Sequence, residues 1–342
     1  MPTEPNMQVF VTGANGFIGS NLCRRLLNAG HEVSALVREN SDRGFLAKMP
    51  DLRLVVGDIT RAEDLARAMA GAEVVFHVAG LASDWGDWQH FVDVNVTGTA
   101  NVIHAARANA CKRVVHVSSV SVYGFPGLID VGEDFPFVER PDNAYITTKA
   151  AGERLALAAN DPELEVVVIR PAGVYGPNDR TTTLQIVPAM LSGKFGYVDG
   201  GRHRMAPVYI DNLVDLMLLT AVHEKAPGEA FNAIDDGYTN WRQYCEMMCR
   251  ELGCKPPFIS LPHQLAWPAA VALEKTALLF KRRESPPINT YRIRAVMADS
   301  HYSMAKARRV LGYSARFSTQ QGIQRTIAWY RRYEQEHRKA AA

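Results

Sequence analysis

Short runs of β-branched and aliphatic residues alternate with helical patterns through the first half of the chain. The runs fall at Val9–Thr12, Glu32–Val37, Leu54–Val56, Val74–Val78, Val114–Ser118 and Val166–Arg170. Continuous apolar runs of this length suit strands covered on both faces. Between them, apolar positions recur at helical spacing. One helix is expected from Thr60, where Thr60-Arg61-Ala62-Glu63 reads as a capping box. Others are expected over Trp88–Asn109 and Ala144–Asn160. Strand–helix–strand units in this order predict an α/β fold with a parallel, doubly wound sheet of Rossmann type. Right-handed crossovers bring the carboxyl ends of the strands to one edge, where ligands bind in such sheets.

After Pro171 the pattern loosens. Gly173, Gly176, Pro177, Pro188, Gly193, Gly196, Gly200 and Gly201 punctuate it. Helical spacing returns at Asp211–Val222, Trp241–Leu252, His263–Phe280, Met304–Leu311 and Thr319–Tyr333. We read a sheet domain over 1–170 and a smaller, mostly helical substrate lobe over 171–335, with chain crossings between them. A charged tail over 336–342 is expected to fray.

Composition narrows the class only a little. Apolar residues make up 47% and charged residues 22% of 342, the balance of an ordinary globular protein. A formal net charge of +2 gives no reason to expect nucleic acid. The basic run Lys281-Arg282-Arg283 reads as a solvated helix end. Cys23, Cys111, Cys245, Cys249 and Cys254 are scattered without a C-x-x-C pair, so we expect reduced thiols in a cytosolic protein and no metal set. The start, MPTEPNMQ, lacks the basic and apolar regions of a signal peptide. No run of about 18 apolar residues suggests a spanning helix; Leu265–Phe280 comes nearest and is broken by Pro268, Glu274 and Lys275.

The first strand leads directly into Thr12-Gly13-Ala14-Asn15-Gly16-Phe17-Ile18-Gly19. A glycine loop opening a helix is a cradle for a pyrophosphate, because free N–H groups and the helix dipole meet the anion there. Gly13 permits the tight turn, Gly16 the approach of phosphate, and Gly19 close helix–strand packing. The second strand ends in Ala35-Leu36-Val37-Arg38, with Glu39 one position later and Arg43 close by. An acid at the strand end would select the ribose hydroxyl of NAD, whereas Arg38 suits the 2′-phosphate of NADP. NADP is the favoured cofactor and NAD the alternative. Asp58, before Ile59 at the end of the third strand, reads equally as an adenine-edge contact or as a helix N-terminal acid.

Tyr145 and Lys149 lie at i, i+4 on one face of a helix. A nearby ammonium favours the phenolate of a tyrosine that is otherwise a poor base. Tyr145 can then exchange a proton with a substrate oxygen while hydride moves at carbon. Ser119, after the fifth strand, is placed to hydrogen-bond the same oxygen. Asn95, in Asn95-Val96-Thr97-Gly98-Thr99, reads equally as part of a proton relay or as a satisfied core amide.

TGANGFIG, Gly57-Asp58, His77-Val78-Ala79-Gly80, the Asn95 segment, VSSVSVYG, YITTK and RPAGVYGP together resemble the extended short-chain dehydrogenase/reductase family, of NAD-dependent epimerase/dehydratase type. The resemblance implies Ser119, Tyr145 and Lys149 as the catalytic triad. The cofactor set it implies includes Gly13, Asn15, Gly16, Phe17, Ile18 and Gly19, with Arg38, Asp58 and Ile59. Val78, Ala79, Gly80, Asn95, Val117, Tyr145 and Lys149 follow, and Pro171, Gly173 and Val174 border the nicotinamide. A homodimer through the helices carrying Trp88–Asn109 and Tyr145–Asn160 is also implied.

The substrate divides two branches. The Ala82–Trp88 segment, with Trp85 and Trp88, suits either an apolar substrate wall or packing at the start of the next helix. Gln264–Phe280 is an apolar helix with a basic end, suited to a membrane interface or to a core. Pro286–Gly312 resembles bacterial 3β-hydroxysteroid dehydrogenase-like enzymes, a branch that includes β-keto acid reductases. Tyr175 is a further candidate substrate contact. Arg202, His203 and Arg204 favour a sugar-nucleotide phosphate instead, with Arg204 as the contact. The expected activity is oxidoreduction at a β-hydroxy/β-keto position of an apolar, steroid-like or long-chain substrate. The alternatives are a nucleotide-sugar epimerase, dehydratase or reductase, and a non-catalytic NADP-sensing regulator.

Overall fold

A computed structural model describes residues 6–139, 143–280, 282 and 284–341. The first five residues, together with Lys281 and Arg283 of the basic run, lie outside the described residues.

The first half runs β1 (Gln8–Thr12), α1 (Phe17–Asn28), β2 (Glu32–Val37), β3 (Arg53–Val56), α2 (Ala62–Ala68) and β4 (Val74–His77). It continues with α3 (Trp88–Val92), a π-helical turn over Asp93–Thr97, α4 (Gly98–Ala108), β5 (Arg113–Val117), α5 (Ala144–Ala158) and β6 (Glu165–Pro171). These strands pair in parallel, and the seven-stranded sheet has the order β11-β6-β5-β4-β1-β2-β3, where β11 is Ala230–Ala233. The chain therefore winds outward in both directions from the β1/β4 junction. That switch point opens a crevice at the carboxyl ends of the strands.

Alternate strand residues feed two apolar layers. Val9, Val11, Val115 and Val117 face one cluster with α1 and α7 (Ile210–Val222). Phe10, Val75, Val114 and Val166 face the other, with α2 and α4. Residues 210–233 thus complete the sheet domain, and a single boundary at residue 171 does not divide the layers. The sequence gives β11 little signal, since Ala230-Phe231-Asn232-Ala233 is short and contains an amide.

The remaining elements are β7 (Gly173–Tyr175), α6 (Thr183–Leu191), β8 (Gly196–Val198), β9 (Arg204–Met205), β10 (Pro207–Tyr209), β12 (Thr239–Asn240) and α8 (Trp241–Leu252). Then come β13 (Ile259–Leu261), α9 (His263–Leu279), α10 (Thr290–Met297), α11 (Ala305–Leu311) and α12 (Thr319–Ala341). Two-stranded pairs β7/β10, β9/β12 and β8/β13 staple this lobe together.

Two local expectations change. Arg61, not Thr60, is the residue before α2, and no side chain caps it. Asp58 Oδ1 takes both the amide and the hydroxyl of Thr60 at 2.9 Å, so the capping box does not form. The helix expected over Trp88–Asn109 is interrupted by the π turn. The tail segment from 336 is helical as far as Ala341, where α12 ends.

Candidate active site

Gly13 has φ +67°, and a Cβ there would lie 2.7 Å from the amide nitrogen of Ala79. A Cβ on Gly19 would meet the Gly13 carbonyl oxygen at 2.2 Å. The loop therefore needs glycine both for its turn and to pack against the segment after β4. Gly16 precedes α1 without a side-chain cap, and the first turn holds no acid. The amides of Phe17, Ile18 and Gly19 open α1 and have no acceptor within the helix, and a helix start of this kind suits an anion. Asn15 Nδ2 donates to the Asp42 carbonyl at 3.4 Å.

Arg38 is exposed just past β2. Its carbonyl accepts the Ser41 hydroxyl at 2.8 Å, while Arg43 donates to the Glu39 carbonyl. Asp58 stands past β3 with one oxygen committed to Thr60, and the Ile59 carbonyl accepts Asn101 Nδ2 at 2.9 Å.

Val78, Ala79 and Gly80 follow β4. Thr12 fixes them: its Oγ1 accepts the Ala79 amide at 3.1 Å and meets His77 Nδ1 at 2.9 Å. Asn95 faces inward from the π turn. Its Oδ1 accepts the Leu81 amide at 2.8 Å, and its Nδ2 donates to Thr148 Oγ1 at 3.0 Å. Asn95 thereby joins the loop after β4 to α5, and it is a satisfied buried amide. Gly152 lets the helices approach, because a Cβ there would lie 2.3 Å from the Asn95 carbonyl oxygen.

Ser119 follows β5 in extended conformation, and its Oγ accepts the Ser121 amide at 3.1 Å. Tyr145 sits in the first turn of α5, which Asn143 caps by accepting the Ile146 amide. Burial raises the Tyr145 pKa, and the neighbouring Ser119 and Ser121 hydroxyls oppose the rise. One turn on, buried Lys149 donates from Nζ to the Val117 carbonyl at 2.6 Å. Burial lowers its pKa to about 8, against the pull of Glu153. The structure thus brings the three catalytic candidates to the carboxyl ends of β5 and α5's inner face. Pro171 closes β6 beside them, and Gly173 and Val174 continue in β7.

A buried polar layer supports this face. Glu153, a further turn along α5, is wholly buried; its Oε1 pairs with Arg170 at 2.6 Å and its Oε2 accepts the Ser118 hydroxyl at 2.5 Å. Arg170 also donates to the Tyr123 hydroxyl at 2.6 Å and the Glu133 carbonyl at 3.0 Å. His77 and His116 lie with ring centroids 5.1 Å apart. Burial, helped by the charge of Lys149, holds the His77 pKa at about 3 and that of His116 well below the usual range, so both stay neutral. Glu153 could have been suspected from its i+4 spacing after Lys149, and Arg170 from a cation ending an apolar run.

The C-terminal lobe roofs the site. Tyr291 of α10 meets Tyr145 edge-on at 6.4 Å and Phe125 at 5.4 Å. Trp85 Nε1 donates to the Arg282 carbonyl at 3.2 Å, and Asp84 pairs with Arg292 at 2.5 Å. The loop after β4 is therefore strapped to the α9–α10 connection. Trp88 begins α3 and is 53% exposed. Nothing local in the sequence marks Tyr291. Tyr175, expected at the substrate, is instead buried in the core, with its hydroxyl bound to Asp235 at 2.9 Å and to the Thr319 carbonyl. Arg204 is engaged by Asp299, whose carboxylate accepts its amide at 2.8 Å and lies 3.5 Å from its guanidinium.

Comparison with known proteins agrees with this geometry. A model of the NAD dependent epimerase/dehydratase family matches residues 9–233. A 4-hydroxy-2-methyl-3-oxo-4-farnesyl-3,4-dihydroquinoline-1-oxide ketoreductase from Stigmatella aurantiaca is 33% identical, over 93% of this chain and 95% of its own. A 3-beta-hydroxysteroid dehydrogenase from Mycolicibacterium neoaurum is 31% identical over 94% and 91%. The solved structure of MoeE5 in complex with UDP-glucuronic acid and NAD superposes with a TM-score of 0.74 at 28% identity, over 95% of this chain and 99% of that one. The chain belongs to the NAD-dependent epimerase/dehydratase family, within the extended short-chain dehydrogenases/reductases. It is an oxidoreductase of that family.

Proposed function

We propose that this enzyme interconverts a β-hydroxy and a β-keto group on an apolar, steroid-like or long-chain substrate, using NADP(H). The observation that carries the reading is the placement of Tyr145 beside the Ser119 and Ser121 hydroxyls, one turn above buried Lys149, at the carboxyl edge of the sheet.

A nicotinamide held there would supply or accept the hydride. In reduction, Tyr145 gives its proton to the substrate oxygen, and in oxidation it takes that proton back. Ser119 donates to the same oxygen and stabilises the charge that grows on it. The Lys149 ammonium favours the phenolate left on Tyr145. The glycine loop would hold the pyrophosphate, and Val78–Gly80 and Pro171–Val174 would border the nicotinamide.

The aromatic roof of Tyr291 and Phe125, with Trp85 at its rim, supports an apolar substrate. So do the names of the ketoreductase and hydroxysteroid dehydrogenase relatives. Arg204, the residue suited to a sugar-nucleotide phosphate, is paired with Asp299 at 3.5 Å. The exposed guanidinium of Arg38 supports NADP over NAD. The reading includes a cytosolic homodimer through α4 and α5.

Fluorescence titration of NADPH and NADH against wild type and Arg38→Ala tests the cofactor. NADPH should bind more tightly and weaken selectively in the variant, whereas equal or tighter NADH binding would remove the NADP assignment. Turnover is screened on long-chain β-keto esters and 3-ketosteroids, with UDP-glucose as the contrasting substrate. Activity confined to UDP-glucose would overturn the apolar reading.

A further inference from the structure

Helix α9 inverts the usual arrangement of a surface helix. Its packed side carries Ala266, Ala270 and Ala277, the first two beside Ile293 of α10, with Trp267 packed against the same cluster. Its other large apolar residues point outward. Leu265 is 60% exposed, Leu279 78% and Phe280, just past the helix, 69%. At 100° per residue, Leu265, Ala269, Ala272, Leu273, Leu279 and Phe280 share one arc of about 140°. Pro268 and Thr276 fill the rest of that arc, and no charged residue falls within it. A helix of a water-exposed lobe ordinarily turns such a stripe toward the core.

The charges lie at one end. From Lys275 to Glu284 the sequence holds four cations, Lys275, Lys281, Arg282 and Arg283, against the single acid Glu284. Glu274 is turned inward, where it accepts the Thr290 amide at 3.1 Å and tethers α10. An apolar stripe ending in cations, with its acid withdrawn, complements an anionic headgroup layer over an acyl interior. The stripe also leads to the cleft. It ends two residues before Arg282, whose carbonyl holds Trp85, and α10 carries Tyr291 over Tyr145.

We propose that the outward face of α9 and its basic end dock this protein on an anionic lipid surface, so that an apolar substrate passes from the lipid into the cleft roofed by Tyr291. The docking stands on the helix alone; the passage of substrate rests on the apolar-substrate reading given above. No described helix is long and apolar enough to cross a membrane. The helix lies in the interface.

The test is co-sedimentation of the full chain with phosphatidylcholine vesicles, with and without phosphatidylglycerol, in the absence of substrate. Wild type should bind the phosphatidylglycerol vesicles and release with salt. Leu279→Asp with Phe280→Asp should weaken that binding about tenfold or more. Lys275→Glu should weaken the preference for phosphatidylglycerol. All three side chains are exposed, so circular dichroism and turnover of a short, water-soluble β-keto ester should match wild type. Wild type that ignores both vesicles, or the Asp pair binding as wild type does, overturns the proposal. Concentration-dependent self-association abolished by the Asp pair, without vesicle binding, assigns the stripe to a second copy and also overturns it. Vesicle binding without turnover of any apolar ketone leaves docking standing and removes the substrate reading. Turnover without vesicle binding does the reverse.

Discussion

The ammonium of Lys149 donates to the carbonyl oxygen of Val117 at 2.6 Å, which ties the catalytic helix to the strand that delivers Ser119. Its charge is held in a buried site among neutral histidines and with Glu153 as the acid that opposes its loss. Proton chemistry and helix placement therefore depend on one side chain.

The pH profile should show this. Burial lowers the Lys149 pKa to about 8, below its unfolded value of 10.5. The ammonium's help to the Tyr145 phenolate is full below pH 8 and fades above it. The kcat/KM profile should bend near pH 8, and Lys149→Arg should move that bend upward because a guanidinium stays charged. The sign for stability is the opposite of that for a salt-bridged lysine. Between pH 8 and 10.5 the unfolded chain binds more protons at this position, so this residue's contribution to stability rises with pH in that window. A bend that stays in place in Lys149→Arg would assign it to another group.

Glu153 and Arg170 form a buried ion pair at 2.6 Å with both side chains almost fully enclosed. Breaking such a pair from one side leaves an uncompensated charge and costs about 3–5 kcal/mol. Glu153→Leu and Arg170→Leu should each lower the urea midpoint sharply, and the double variant should lose less than the sum of the two. Additive losses would show that the pair is not coupled.

Gly19→Ala places a methyl group 2.2 Å from the Gly13 carbonyl oxygen. The loop must shift, and the pyrophosphate cradle shifts with it. NAD(P)H affinity should fall by about tenfold or more, and the thermal midpoint should fall with it, because the atoms that must move are backbone. Calorimetric titration of the variant checks this, and unchanged affinity would remove the loop from the cofactor site.

Tyr291→Ala removes the ring that meets Tyr145 and Phe125. KM for a long-chain β-keto ester should rise roughly tenfold or more, within the ~1–3 kcal/mol (about 10–200-fold) that a hydrophobic pocket contact supplies. KM for a short ester should hardly move. Equal effects on both would place Tyr291 outside the substrate path.

Local constraints made part of this molecule legible. Gly13 and Gly19 are dictated by turn geometry within eight residues, and β1 and β5 by runs of valine, so loop and sheet could be read from the chain. Thr60 was misread because Asp58, two residues earlier, competes for the same groups. The burial of Tyr175 is not legible locally, because its partners Asp235 and Thr319 come from elsewhere in the chain. Tyr291 reaches the site only through the docking of α10, which no spacing near Tyr145 announces.

The edge strand β11 has a consequence for synthesis. A nascent chain that ends at Pro171 already holds six of the seven strands, but β6 lacks the neighbour it will have in the finished sheet. The segment from Ala172 to Glu229 must leave the ribosome first, roughly 3–12 s at ~5–20 residues per second. For that interval an apolar strand edge stands open to pairing with other chains. The newborn polypeptide thus exposes that edge until Phe231 arrives, and a chain cut after Pro171, with β6 left unpaired on one side, is expected to aggregate.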